Sequence, residues 1–360
     1  MKFSLIFSIA FCMTATAFAQ SEVELKGKLT QIIPVTAPKH ASRQLLKQVQ
    51  PKTVSLMDVK LSNNAWHILD KRVESTMLSP DTIEQASTDG TQLGMNKLPA
   101  LDQGPHSTCA TFAVTAALDA ALEKGDYISQ LCNLQLGQEL EQFGYNPSGW
   151  DGSLNGLILN QIAAFGLVTK NTQKTIGCGA NLTEYPRTDE TPTPSLSLSE
   201  YHAISEPLPE DEIAWSTILD IYQAFLDRAD AKKTLESVKQ SLKNKDRLTF
   251  GVLLFGLNEG VAGATGKYHV SNDTWLLTSS IIDSIKNKEN YGGHAMIITG
   301  FNDFATAVDA DGYRHKGLLT IRNSWGPNAG DHGDFYMSYD YFKLLTIEIQ
   351  RIRSLKYLTS

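Results

Sequence analysis

From Cys109 to Lys124 apolar side chains fall on nearly every face of a helix. Ala110, Phe112, Ala113, Val114, Ala116, Ala117, Leu118, Ala121 and Leu122 leave little polar surface. A helix of that kind has to be buried, and Gly125 behind it is suited to the left-handed position that ends it. Leu131–Phe143 and Ser153–Phe165, the latter followed by Gly166, predict two more helices. Ala231–Lys243 predicts an amphipathic one, with Leu235, Val238 and Leu242 on one face. Strand-like runs then dominate: Leu248–Phe255, Ala295–Phe301, Gly317–Arg322, Asp334–Tyr339 and Thr346–Ile352. Helices first and strands later indicate an α+β organisation of two packed lobes. The helical lobe spans about 96–230 and the β-rich lobe about 231–360.

Three stretches break this texture. Tyr185–Pro209 contains Pro186, Pro192, Pro194, Pro207 and Pro209, which deny a regular element and predict a surface connection. A Gly- and polar-rich excursion covers about 256–293. Gln20 to about Met95 is polar, with one short helical signal at Ala65–Leu69 running toward Val73. Asp89-Gly90 and Gly94 mark a boundary near 90–97. The 20–95 segment is expected to be a propeptide or a permanent N-terminal extension.

Ahead of it, Lys2 precedes an apolar run from Phe3 to Met13 and the small-residue site Ala17-Phe18-Ala19. This is the profile of a secretory signal peptide over 1–19, too short to span a bilayer, which needs about 20 apolar residues. The expected location is secreted or periplasmic, with no membrane span.

Composition adds two exclusions. The 360 residues are 42% hydrophobic and 20% charged, near the globular average. A formal net charge of −7 lacks the basic footprint of a nucleic-acid partner, and no run of like charges suggests a membrane-surface patch. Losing 1–19 would remove Cys12 and leave Cys109, Cys132 and Cys178. In an oxidising compartment three cysteines imply one disulfide and one unpaired thiol, either buried and inert or reactive.

Three segments carry candidate chemistry. Asp102-Gln103-Gly104-Pro105-His106-Ser107-Thr108-Cys109 delivers a cysteine to the start of the buried helix, where the helix dipole favours thiolate. The turn brings Gln103 near that helix end, where its amide can donate to a developing oxyanion beside the Cys109 N–H. Gly292-Gly293-His294-Ala295 places a histidine at the mouth of an apolar strand. Arg322-Asn323-Ser324-Trp325-Gly326 places an asparagine at the end of another. A cysteine nucleophile needs a base, and the base needs a partner that fixes its tautomer.

These segments resemble those of the papain-like cysteine peptidases, over roughly Leu98 to Ile352. In that resemblance Cys109 matches the nucleophile, His294 the base, Asn323 the orienting amide and Gln103 the oxyanion-hole glutamine. The run Asn323–Gly326 and the later Gly333-Asp334-Phe335-Tyr336-Met337 are similar to the family's C-terminal signature. The resemblance implies a helical lobe and a β-barrel-like lobe with the site in the cleft between them. It also implies a Cys109–His294 thiolate–imidazolium pair, protein or peptide substrates, thioester chemistry and no cofactor. Trp325 is placed to shield the His–Asn hydrogen bond.

The sequence also departs from the family. His106, Ser107 and Ala110 stand where it usually has a cysteine and glycine before the nucleophile and a tryptophan after it. The usual nearby disulfide cannot form, and Cys132 with Cys178 is the candidate substitute. The Cys–His and Cys–Asn separations exceed the family's, and the Pro-rich stretch and the excursion absorb the excess. His106 is a weaker candidate for a second base, since loop histidines are commonly solvated. Asp309-Ala310-Asp311-Gly312 opens like a calcium loop but lacks the closing glutamate, so a hairpin tip is expected. Asn181-Leu182-Thr183 and Asn272-Asp273-Thr274 fit the glycosylation sequon. There is no metal-ligand spacing and no phosphate-cradling glycine loop. Besides an active endopeptidase, two alternatives stand: a catalytically silent papain-fold binding protein with an occluded cleft, and an exopeptidase with one end of the cleft blocked.

Overall fold

The protein was analysed as a computed structural model that describes residues 22–33, 52–78, 89–179, 181–193, 196–226, 229–256 and 273–357. The signal peptide expected at 1–19, the Asn272 of one sequon and residues 257–272 of the 256–293 excursion lie outside the described residues.

The predicted core helix is α2 (Cys109–Leu122), preceded by α1 (Asn63–Leu78). All fourteen residues of α2 are buried, as its uniform apolarity requires. The helix ends two residues earlier than expected, because Glu123 and not Gly125 takes the left-handed position that closes it, at φ 60°. Around it stand α3 (Gln130–Gln142), α4 (Asn155–Phe165) and the short α5 (Lys170–Thr175). Ser129 and Thr169 cap α3 and α5 through their side-chain oxygens. Gly137 in α3 is required by close approach, since an added Cβ would lie 2.3 Å from the Ser148 carbonyl oxygen.

The Pro-rich connection is not wholly irregular. It holds α6 (Leu198–Ile204), opened by a capping box in which Ser197 and Glu200 satisfy each other's backbone N–H groups. Tyr201 from α6 is fully buried in a satellite core with Trp150, Leu134 and the disulfide. That disulfide joins Cys132 to Cys178, and among the described residues Cys109 is the free thiol.

The β-rich part is one ten-stranded sheet. Its main path runs β4 (Ile213–Leu219), β10 (Thr346–Ser354), β5 (Arg247–Phe255), β7 (Tyr291–Val308), β8 (Arg314–Arg322), β9 (Asp334–Ser338) and β6 (Thr274–Trp275). Strand β4 falls within the range expected for the helical lobe yet pairs antiparallel with β10. The helices α7 (Ile221–Ala224), α8 (Ala231–Lys243), α9 (Ser279–Asn287) and α10 (Tyr339–Leu345) pack around the sheet; α8 has the bounds its periodicity predicts. Antiparallel pairing predominates, and β5 is buried at all nine positions, which fits its continuous apolar run. The Asp309 turn is the tip of the β7–β8 hairpin, where its carboxylate accepts from the N–H groups of Asp311 and Tyr313.

The architecture is therefore α+β, with a helical and a β-rich lobe meeting along α2, and is consistent with the two-lobe expectation. The lobes are also joined at their base. Glu348 on β10 accepts from the N–H groups of Asn155 (2.9 Å) and Gly156 (2.7 Å) at the start of α4.

The N-terminal segment holds the main departure from sequence expectation. Its polar texture predicted only short helical signals, but β1 (Val23–Ile33) and β2 (Lys52–Leu61) pair antiparallel across a bulge at Gly27. Val54, Leu56, Met57, Val59 and Leu61 of β2 are buried in the central core, as are Ala65, Trp66, Ile68, Leu69 and Val73 of α1. The edge of β7 is paired by β2 at Met57–Gly293 and by β3 (Gly90–Gln92) farther on.

Candidate active site

The four residues singled out in the sequence come from four positions in the fold and converge. Cys109 is the first residue of α2, His294 lies on β7 opposite Val252 of β5, and Asn323 follows the end of β8. Strand β7 begins at Tyr291, so His294 sits three residues inside the strand rather than at its mouth.

Asn323 fixes the ring of His294. Its Oδ1 lies 2.9 Å from His294 Nε2 and also accepts the Ser324 N–H at 2.7 Å. An oxygen that already accepts from a backbone N–H must accept from Nε2 as well, so the proton is assigned to Nε2. Nδ1 is then the unprotonated nitrogen, and it is buried with no hydrogen-bond partner among the described residues. Trp325 stacks on the ring at 4.8 Å and 23°, and is itself held edge-on by Phe335 at 5.4 Å. With 5% of its surface exposed, Trp325 walls that side of the His294–Asn323 pair from water.

The sulfur of Cys109 is in the same place. The N–H of Ala295, the residue after His294, points at it, as do those of Ala110 and of Cys109 itself. Those donors favour thiolate, but burial outweighs them and pushes the Cys109 thiol up to about 12. Burial likewise pulls His294 down to about 4, against the smaller upward effect of Asn323. Neither residue exposes any surface. With water excluded from both, burial disfavours the charged forms of the pair that the family resemblance implies.

The covering is done by β2. The Gln103 amide, expected to be free for an oxyanion, donates from Nε2 to the Ser55 carbonyl at 3.0 Å and to the His106 carbonyl at 2.7 Å. Its Oε1 accepts from Ser324 Oγ at 2.6 Å, which fixes which side of the amide donates. Ser55 Oγ donates to the Pro105 carbonyl at 2.7 Å. Two residues on, Met57 is wedged between glycines of the two lobes. A Cβ added at Gly152 would lie 3.0 Å from Met57 Cγ, and one at Gly293 would lie 3.1 Å from its Cε. Lys52 reaches the Trp325 carbonyl at 2.9 Å and pairs with Asp102.

His106 is not the solvated loop histidine its position suggested. It is buried, set edge-on to Trp150 (4.9 Å) and Tyr185 (5.8 Å), with Nε2 unpartnered. Burial holds it below its ordinary value, and nothing brings it to Cys109 as a base. Ser55, Met57, Ser324 and Tyr185 are site residues that sequence reasoning did not single out. Among the described residues no cluster of three or more His, Cys, Asp or Glu side chains could hold a metal ion. No helix there is long and apolar enough to cross a membrane.

A thiol at a helix start, an imidazole on a facing strand and two side-chain amides make the layout of a thiol-dependent acyl-transfer site, and it resembles that of the papain-like cysteine peptidases. The family model described as the Peptidase C1-like family matches residues 238–359, a segment that includes His294 and Asn323 but not Cys109 or Gln103. No curated protein matches the chain. Among solved structures the chain is similar to xylellain, a cysteine protease from Xylella fastidiosa, at 18% identity and a TM-score of 0.44, covering 74% of this chain and 85% of that one. It is also similar to the proform of the ragweed pollen allergen Amb a 11, a cysteine protease (13%, 0.42, covering 78% and 73%). A third likeness is to digestive procathepsin L 3 from the larval midgut of Tenebrio molitor (12%, 0.41, covering 74% and 71%). At TM-scores below 0.5 the function has to be argued from the site.

Proposed function

We propose that the chain is an exported papain-like cysteine peptidase that the β1–β2 hairpin holds latent, with Cys109 as nucleophile and His294 as base. The reading is carried by one observation: the amide of Gln103, the residue that matches the family's oxyanion donor, already donates to a carbonyl of the chain's own N-terminal segment. The 20–95 segment acts as a propeptide, and the Cys132–Cys178 disulfide suits an oxidising destination.

When β2 is displaced, water reaches the sulfur and the ring, and the two shifts produced by burial relax. The thiol proton passes to His294 Nδ1, and Asn323 holds the imidazolium through Nε2–H. The thiolate attacks a peptide carbonyl. Its developing oxyanion takes the donor that Ser55 had occupied, together with the Cys109 N–H. His294 then returns the proton to the leaving amine, and water hydrolyses the thioester.

The burial of both Cys109 and His294 also supports a second reading, a binding protein that keeps the fold without turnover. Iodoacetamide labelling of the exported chain, without residues 1–19 and with the hairpin loosened by Met57→Ala, separates the two. The peptidase reading expects Cys109 alone to be alkylated, and cleavage of an unfolded protein that disappears in Cys109→Ala. An uncovered Cys109 that neither labels nor cleaves would leave only the binding role.

A further inference from the structure

The turn that presents Gln103 has no regular structure. With the cover in place, β2 helps to hold it, through the Ser55 carbonyl on the Gln103 amide and Ser55 Oγ on the Pro105 carbonyl. Both contacts leave with β2. The contacts Gln103 keeps to Ser324, its N–H on the Ser324 carbonyl at 2.8 Å and its Oε1 accepting from Ser324 Oγ, tie it to the β-rich lobe and not to the helix that carries Cys109.

Tyr185 supplies the tie to that helix from the Pro-rich connection. Its hydroxyl donates to the Gln103 carbonyl at 2.9 Å. It also lies 2.9 Å from Thr108 Oγ1, which must then be the donor of that pair. One phenol thus bridges the residue carrying the oxyanion amide and the residue preceding the nucleophile. Its ring is fixed on three sides: stacked on Trp150 at 5.8 Å and 21°, edge-on to Phe112 at 5.2 Å and edge-on to His106 at 5.8 Å. The Ser107 N–H, donating to the Trp150 carbonyl at 3.1 Å, ties the middle of the turn to the same aromatic group. Burial raises the Tyr185 phenol, so it stays protonated and able to donate.

We propose that Tyr185 is a positioning residue that sets the Gln103 amide against Cys109 once the cover has left, through its hydroxyl bridge from the Gln103 carbonyl to Thr108. The proposal rests on the peptidase reading. It predicts an effect on the step that forms an oxyanion and on no other step. Losing one well-placed hydrogen bond of this kind reads as a factor of about ten.

The test is a kinetic double-mutant cycle in the same exported chain carrying Met57→Ala. Tyr185→Phe keeps the ring and its packing and removes only the bridge. The expected result is a fall in kcat for a peptide substrate of about tenfold, with KM unchanged. Iodoacetamide alkylation of Cys109 should keep its rate, since alkylation passes through no oxyanion. In a Gln103→Ala background the same change should have no further effect. Thr108→Val, which removes the other half of the bridge, should behave alike. An unchanged kcat in Tyr185→Phe, an equal fall in alkylation, or full additivity with Gln103→Ala would each overturn the proposal. A Met57→Ala parent that labels but turns over no peptide defeats the peptidase reading itself, and the proposal with it.

Discussion

Met57 is the side chain whose removal should most directly expose the sulfur. It is 2% exposed, and it fills the gap between Gly152 of the helical lobe and Gly293 of the sheet. Truncating a buried methionine to alanine costs about 2–5 kcal/mol, from lost transfer energy plus the cavity left behind. In an uncovered state Met57 is solvated and the truncation costs little there. The loss therefore falls on the covered state. At about 1.4 kcal/mol per factor of ten, the ratio of covered to uncovered molecules should drop at least ~30-fold. The assay is the rate of iodoacetamide modification of Cys109 in the folded exported chain, followed by mass. It should rise by the same factor, until opening ceases to limit it. Met57→Ala will also lower global stability, so Leu345→Ala, at a buried position on α10, serves as the control. It should lower the melting temperature comparably without accelerating modification. Equal acceleration in both variants would mean that Cys109 is reached by global unfolding, and the idea of β2 as a local cover would be wrong.

Two predictions concern pH. Burial depresses His294 from an ordinary 6.5 to about 4 in the covered state, so uncovering takes up a proton anywhere between those values. Acid in that window should favour opening, seen as faster hydrogen exchange in β1–β2 after correction for intrinsic rates; His294→Gln should abolish the trend, and a flat profile in the parent would count against it. His315 behaves in the opposite sense. Burial pulls it down, but the Asp340 carboxylate at 2.6 Å and Asp309 at 3.4 Å more than offset that and hold it above its ordinary 6.5. A raised folded value means that its contribution is complete below 6.5 and fades as pH rises through that folded value. The melting temperature of the parent should therefore decline over that range relative to His315→Gln, and parallel curves would refute the pairing.

The candidate site was legible from a combination of residues and not from any one of them. A cysteine opening an all-apolar helix, a histidine after two glycines and an asparagine closing a strand are each ordinary alone, and together they specify one chemistry. Helix α8 was legible from its single apolar face. Strand β2 carried a signal that went unread, the alternation Met57-Asp58-Val59-Lys60-Leu61 that its burial follows, but burial on both sides at Val54–Met57 breaks the period ahead of it and puts Ser55 inside an apolar setting. Helix α6 did carry a signal, the Ser197–Glu200 capping pair, hidden by the prolines around it. The burial of His106 could not be read locally, because Trp150 and Tyr185 reach it from distant segments.

The Glu348 carboxylate at the start of α4 limits how the molecule can move. It is a rivet between the halves: sliding one past the other would leave a buried carboxyl and two backbone N–H groups without their hydrogen bonds, at about 1–3 kcal/mol for each group left unsatisfied. The floor of the groove is therefore a fixed baseplate, and the motion that admits solvent to the sulfur has to come from the hairpin lying above it.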